Sequence, residues 1–241
     1  MDKIQQFYLE RSTSPATMAF LFLKREMVLA RLGEVYAICY DASSVALDLA
    51  MKNAKGREAS KPTSGWGPMS VIQHLMDLQQ TPPQLKNLMT STALLNELFG
   101  DLSFVRFAAN QNEAKGLSHM MSEAETMKIF HSFSFYGNPE AYAAEKLASW
   151  FLRVLRPQGL GVIAITSGNI SGEAVATTPN EALELAQKMG IRYVFHRQTP
   201  PDIGQSYLIT DMTQFPPKVF RERQPGEGEK LVAKIIQKAA K

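Results

Sequence analysis

The sequence predicts an α/β protein with a twisted, open mixed sheet flanked by helices. Three observations predict it. Short runs without polar alternation, rich in β-branched, aliphatic or aromatic residues, occur at residues 35–40 (VYAICY), 161–166 (GVIAIT) and 191–195; such runs suit strands covered on both faces. Segments with helical spacing and recognisable start and stop signals lie between them. The two kinds of segment alternate, which is the pattern of helices packed on a parallel or mixed sheet. A chain of 241 residues, nearly half hydrophobic, can bury the core of one large domain. One α/β domain is expected over residues 1–225, with a basic helix or tail over 226–241.

Ser14 and Pro15 form a helix start, serine as N-cap and proline in the first turn, and the helix runs through Phe20 and Phe22 to about Lys24. A strand over 27–30 follows, Gly33 allows a turn, and 35–40 is the next strand. Ser43 or Ser44 caps a helix on which Val45 and Leu49, and Ala46 and Ala50, share faces until Gly56 ends it. Residues 58–68 (EASKPTSGWGP) read as a loop. Helices are expected over 70–80 and 85–98, separated by Pro82 and Pro83, and a strand over 102–108. Residues 110–138 show no clear period, and Phe130, Phe133, Phe135 and Tyr136 read as core or lid packing. Residues 139–155, Ala-rich with Leu147, Phe151 and Val154 on one stripe, predict the strongest helix. Thr178, Pro179 and Glu181 form a capping box for a helix that stops at Gly190. Short strands are expected at 191–195, 207–210 and 218–220.

Several function classes are disfavoured. No apolar run approaches the roughly 20 residues of a membrane span, and no secretory leader is visible, so no membrane partner is expected. The single cysteine, Cys39, sits in an apolar run and reads as a buried reduced thiol, which fits a cytoplasmic protein. His74, His119, His131 and His196 have no ligand spacing, so no metal site is expected. The net charge of +3 permits a nucleotide or RNA partner without requiring one. Lys218, Arg221, Arg223, Lys230, Lys234, Lys238 and Lys241 crowd the C-terminal end, where they could follow phosphates or form a solvated helix face.

Two loops concentrate residues suited to chemistry. Lys55, Gly56 and Arg57, followed by Lys61 and Pro62, place cations beside a flexible glycine, although cations at a helix C-terminus also complement its dipole. Thr166, Ser167, Gly168, Asn169, Ser171 and Gly172 follow a buried strand, and ligands of open α/β sheets bind just beyond strand ends. Such a loop can cradle an anion or a carbonyl, or simply be a hydroxyl-rich turn.

Three segments together resemble the YrdC-type family of threonylcarbamoyl-adenylate synthases. Residues 35–42 (VYAICYDA) with 55–62 (KGREASKP), 166–178 (TSGNISGEAVATT) and 216–223 (PPKVFRER) are similar, in order, to that family's VYGLGADA with KGRPxxKP, PSANxSGEPxxTT and PPxVLREG segments. The resemblance implies a single-domain YrdC-like sheet and a nucleotidyltransferase that condenses L-threonine, bicarbonate and ATP, releasing pyrophosphate, for t6A modification of tRNA. It implies Mg²⁺ carried with ATP, and tRNA or double-stranded RNA and t6A-pathway proteins as partners. Lys55 and Arg57 match the family's KxR motif, and Ser167 and Asn169 its SxN motif, as the residues that carry the reaction. Tyr36, Lys61, Thr166, Ser171, Ser206 and Arg221 are implied in nucleotide or substrate binding. Where the family reads PTDT, this chain has Arg31, Leu32, Gly33 and Glu34; Arg106 lies near the place of an RxP stretch that is not recognisable. Two other readings stay open at this point. One is a YrdC-fold protein that binds nucleotide or RNA without turnover. The other is a class I methyltransferase using S-adenosylmethionine, suggested by residues 150–166.

Overall fold

A computed structural model describes residues 3–11, 13–32, 35–67, 73–99, 103–122, 126–131, 162–198, 207–222 and 224–240. Among these residues, ten strands form one mixed sheet: β1 (Gln5–Tyr8), β2 (Val28–Leu32), β3 (Val35–Asp41), β4 (Ser64–Gly67), β5 (Ser103–Ala108), β6 (Thr126–His131), β7 (Ile163–Ser167), β8 (Tyr193–His196), β9 (Leu208–Asp211) and β10 (Lys218–Arg221). Their spatial order is β1-β8-β2-β3-β7-β4-β6-β5-β9-β10. β3 has antiparallel neighbours on both sides, β2 and β7, while β4 runs parallel to β6 and β5 parallel to β9.

All seven residues of β3 are buried, as its lack of polar alternation requires. Tyr36, Ile38 and Tyr40 enter one core layer with Met51, Leu185 and Val194. Ala37 and Cys39 enter the other, against Met18 and Phe22 of helix α1 (Ser14–Leu23). Thr13, not Ser14, is the N-cap of α1, because the Ser14 hydroxyl is spent on the Tyr8 carbonyl at 2.7 Å.

Helix α2 (Val45–Lys55) begins at Ser44, whose hydroxyl accepts from the Leu47 amide, and ends at Gly56 with φ 63°. It buries Met51 as an ordinary amphipathic helix would, but charged residues share its inner face. Val45 and Leu49 are 58% and 48% exposed, whereas Asp48, Lys52 and Lys55 are buried. The inward charges are tolerated because they are partnered. Asp48 accepts from the Tyr40 hydroxyl at 2.6 Å and the Thr63 hydroxyl at 2.7 Å, and pairs with Lys52 at 2.7 Å. Lys52 also donates to the Ala59 carbonyl at 2.9 Å.

Three expectations are corrected. Residues 58–68 are not all loop: β4 threads between β6 and β7, and its flanking glycines make a strand look like a turn. Of the helix expected over 70–80, residues 73–75 are helical, and then Met76 bridges to Ala109. The Asp77 carboxylate closes a turn by accepting from the Gln79 amide at 2.8 Å. The helix expected over 85–98 is two, α3 (Lys86–Thr90) and α4 (Thr92–Phe99), broken at Ser91 in extended backbone. The Ser91 hydroxyl accepts from the Leu94 amide, an N-cap bond that competes with continuing the helix. Residues 110–138 contain a 3₁₀ helix (Lys115–Met120) and β6. The helix expected over 139–155, with Phe133, Phe135 and Tyr136, lies outside the described residues.

The capping box at Thr178 starts α5 (Pro179–Met189), and Gly190 ends it in left-handed backbone. Helix α6 (Glu227–Ala239) is anchored by the Glu222 carboxylate, which accepts from the Gly226 and Gly228 amides at 2.9 and 3.0 Å. Leu231 and Ile235 seat α6 in the same core as Leu88 and Leu95. Among the described residues, no helix is long and apolar enough to cross a membrane.

Candidate functional site

Two stretches separated by 112 positions meet where β7 ends against α2. The loop after β7 turns back at Gly168, which has no room for a side chain: a Cβ there would lie 2.7 Å from the Tyr36 carbonyl oxygen. That close approach is held by reciprocal backbone bonds. The Gly168 amide donates to the Tyr36 carbonyl, and the Ala176 amide donates to the Gly168 carbonyl, both at 2.8 Å. Gly168→Ala is therefore expected to displace the loop and lower stability by about 1–3 kcal/mol. Denaturant unfolding and the amide shifts of Asn169 and Ser171 check this; an unshifted loop in a fully stable variant would contradict it.

The loop is gripped by Lys55. Its ammonium, on a residue only 2% exposed, donates to the Ser167 carbonyl and, at 2.9 Å, to Asn169 Oδ1. The Lys55 carbonyl accepts from the Ser171 amide at 2.9 Å. Burial, reinforced by the neighbouring Arg57 charge, pulls the Lys55 amine down to about 7. The Ser167 hydroxyl, exposed to solvent, donates to Asn169 Oδ1 at 2.7 Å, and Asn169 Nδ2 donates to the Glu173 carbonyl at 2.7 Å.

Arg57 is half-buried. One terminal nitrogen donates to the Pro62 carbonyl at 2.8 Å and the other lies 3.5 Å from the Thr166 hydroxyl. Its Nε is buried without a hydrogen-bond partner. An orphaned guanidinium donor beside a hydroxyl-rich loop is the chemistry of an oxyanion site.

Past Pro62 the surface opens into a cleft of about 320 Å³ lined by Ser64, Arg106, Ser122, Thr126 and Phe220, among others. Arg106 donates from Nε to the Thr126 hydroxyl at 2.9 Å, lies 3.7 Å from an Asp211 carboxylate oxygen, and stacks 5.6 Å from the centroid of Phe220. Sequence reasoning did not assign Arg106, Thr126 or Phe220. The available signal was a lone arginine between Val105 and Phe107 in an otherwise apolar strand.

The sequence-predicted residues divide clearly. Lys55, Arg57, Thr166, Ser167 and Asn169 come together, and Ser171 joins them through its amide. The side chain of Tyr36 does not reach them: it is fully buried, and its hydroxyl lies 2.7 Å from His196 Nδ1. His196 Nε2 lies 3.0 Å from Gln6 Oε1. With that oxygen accepting from Nε2, Nδ1 is left to accept the tyrosine proton. Burial pushes the Tyr36 hydroxyl up to about 12. Lys61 is exposed on the 57–62 turn. Arg221 turns away from the cleft and donates to the Tyr207 carbonyl at 3.1 Å, while its neighbour Phe220 faces the cleft. Ser206 lies outside the described residues. Among those residues no group of three His, Cys, Asp or Glu side chains is arranged to hold a metal ion.

No protein-family model matches the sequence, and no curated protein does. Solved structures do match the fold. A doubly substituted form of P. abyssi Sua5 superposes with a TM-score of 0.65 at 15% identity, over 90% of this chain and 59% of that one. A structure of P. abyssi Sua5 complexed with L-threonine gives 0.62 at 16%, over 86% and 53%. The chain thus spans little more than half the length of those proteins. E. coli YciO gives 0.65 at 14%, over 91% of this chain and 95% of that one. Full-length HypF in its phosphate- and nucleotide-bound form gives 0.59 at 14%, over 86% and 28%. These likenesses show a YrdC-like fold, which is not the fold that the methyltransferase reading requires.

Proposed function

We propose that this YrdC-like chain binds ATP at the meeting of its Arg57 and Ser167/Asn169 loops and condenses it with L-threonine and bicarbonate. The product would be threonylcarbamoyl-adenylate, used for the t6A modification of tRNA. One observation carries the reading: residues from two motifs 112 positions apart share a single hydrogen-bonded cluster, Lys55 bonding Ser167 and Asn169 beside an Arg57 with an unused buried donor. A phosphate oxygen would satisfy Arg57 Nε. Sua5, solved with L-threonine, and HypF, solved with phosphate and nucleotide, support the choice of ligands.

In this reading the amine of threonine and bicarbonate form a carbamate with loss of water. A carbamate oxygen attacks the α-phosphorus, and pyrophosphate leaves. Arg57 offsets the charge that builds on the phosphoryl oxygens, and the Ser167 hydroxyl and Asn169 amide orient the reactants. Mg²⁺ would be carried largely by the phosphates, as its preference for phosphate oxygens and water favours. The test is pyrophosphate release, with threonine and bicarbonate each present and omitted. Release that requires both supports the reading; release indifferent to either contradicts the substrate assignment.

A second reading, RNA binding without turnover, is favoured by one feature. Lys230 and Lys234 stand exposed one turn apart on α6, with Lys238 in the next turn paired to Glu97 at 2.9 Å. ATP binding without pyrophosphate release, together with salt-sensitive binding of tRNA or duplex RNA, would favour it.

A further inference from the structure

We propose that Lys55 is a positioning residue that latches the Ser167–Asn169 loop onto α2, and that of the two neighbouring cations it is Arg57 that faces the bound anion. The proposal rests on the nucleotide reading above for its second half only. The geometry points to it from both ends of the residue. The side chain takes the Ser167 carbonyl and Asn169 Oδ1, and the backbone carbonyl takes the Ser171 amide. Three successive attachment points on one loop are thus served by a single, almost fully buried residue. A phosphate-binding lysine needs its ammonium in the cleft. Here the ammonium is enclosed and has two protein acceptors, while the neighbouring guanidinium keeps an unused donor.

The surrounding charges agree. Arg57 stands beside Lys55 and opposes its protonation. On α2, Asp48 and Lys52 are already paired with each other. From the β7 side, Ser167 and Asn169 present oxygens, and the Glu173 carbonyl is taken by Asn169. Opening the loop returns the Lys55 amine to water and to its ordinary pKa. The open form therefore binds more protons than the closed form between about pH 7 and the usual lysine range. Raising the pH through that window favours the closed loop, and below it the balance no longer depends on pH.

Hydrogen exchange at the Gly168, Asn169 and Ser171 amides, corrected for intrinsic rates, tests this on the ligand-free protein. Lys55→Met, which keeps the stem and removes the donors, is expected to lower protection of these amides roughly 10- to 100-fold. It should also abolish the rise of protection with pH above about 7 that is expected of the parent. Asn169→Ala, which leaves α2 intact, provides a second route if Lys55→Met fails to fold. With one acceptor of its charged form removed, Lys55 should then titrate lower, and the protection rise should begin at lower pH. ATP calorimetry separates the two halves of the proposal: Lys55→Met should retain measurable affinity where Arg57→Met does not. Unchanged loop protection with an affinity loss equal to that of Arg57→Met would overturn the latch and make Lys55 a ligand. If the parent binds no ATP, the nucleotide reading and the Arg57 half fail, while the exchange result still decides the latch.

Discussion

Arg57→Met should weaken ATP binding by roughly 10- to 100-fold, the loss expected for a charge-assisted hydrogen bond, and should leave the fold nearly as stable as before. The asymmetry follows from where the residue stands. Its bond to the Pro62 carbonyl, at 2.8 Å, lies on a turn where water can replace it. Its orphaned Nε has no folded-state bond to lose. Calorimetry with ATP and a denaturant titration on the same variant measure both quantities. A variant that unfolds, with ligand affinity unchanged in the folded fraction, would make Arg57 a brace for the 57–62 turn.

Asp48→Ala should be the most damaging single change to stability, at about 3–5 kcal/mol. Asp48 accepts from Tyr40, Thr63 and Lys52 inside the core layer. Its removal leaves the Lys52 ammonium buried without a counter-charge, held only by the Ala59 carbonyl, and strands two hydroxyls. Burial alone would raise the Asp48 carboxyl, but its hydrogen bonds with Lys52, Tyr40 and Thr63 outweigh that and hold it below its ordinary value. A carboxyl lowered by folding stabilises the native state above its unfolded pKa and loses that contribution as pH falls through its folded pKa. Asp48→Asn should accordingly flatten part of the acid limb of the stability–pH curve. A measured cost below about 1 kcal/mol for Asp48→Ala would mean that water reaches the site and the network is not sealed.

The same network explains which parts of the molecule were legible in the sequence. The strands at 35–40, 161–166 and 191–195 were readable within two residues because their buried faces leave apolar runs. The capping box at Thr178 and the stop at Gly190 state their geometry in four residues and one. Helix α2 was found at both ends, yet its periodicity could not show which face lies inward. A helix that buries Asp48, Lys52 and Lys55 beside Met51 and exposes Val45 and Leu49 departs from the hydrophobic rule, because Tyr40, Thr63 and the Ser167–Asn169 loop supply polar partners on its inner side. β4 was hidden because two glycines and a serine flank Trp66, a composition that signals a turn when pairing partners are unknown. At the site, the motif residues Lys55, Arg57, Ser167 and Asn169 stand together in the fold, a proximity their two short motifs could suggest. The Tyr36 side chain stands apart from them, because its hydroxyl is taken by His196, 160 positions away, whose other ring nitrogen lies against Gln6. Arg106 and Phe220 were missed for the same reason: each is ordinary in its own strand and becomes notable only when β5, β9 and β10 stand side by side.

The most direct measurement is an NMR titration of the protein with Mg-ATP, following the Arg57 Nε–H and the amides of Gly168, Asn169 and Ser171. The account expects saturable shifts at these four positions, largest at Arg57 Nε, with Arg106 Nε moving if the ligand extends into the neighbouring cleft. Saturable shifts confined to another surface, such as the groove at Gly190 and Arg192, or no shifts at millimolar ATP, would contradict it.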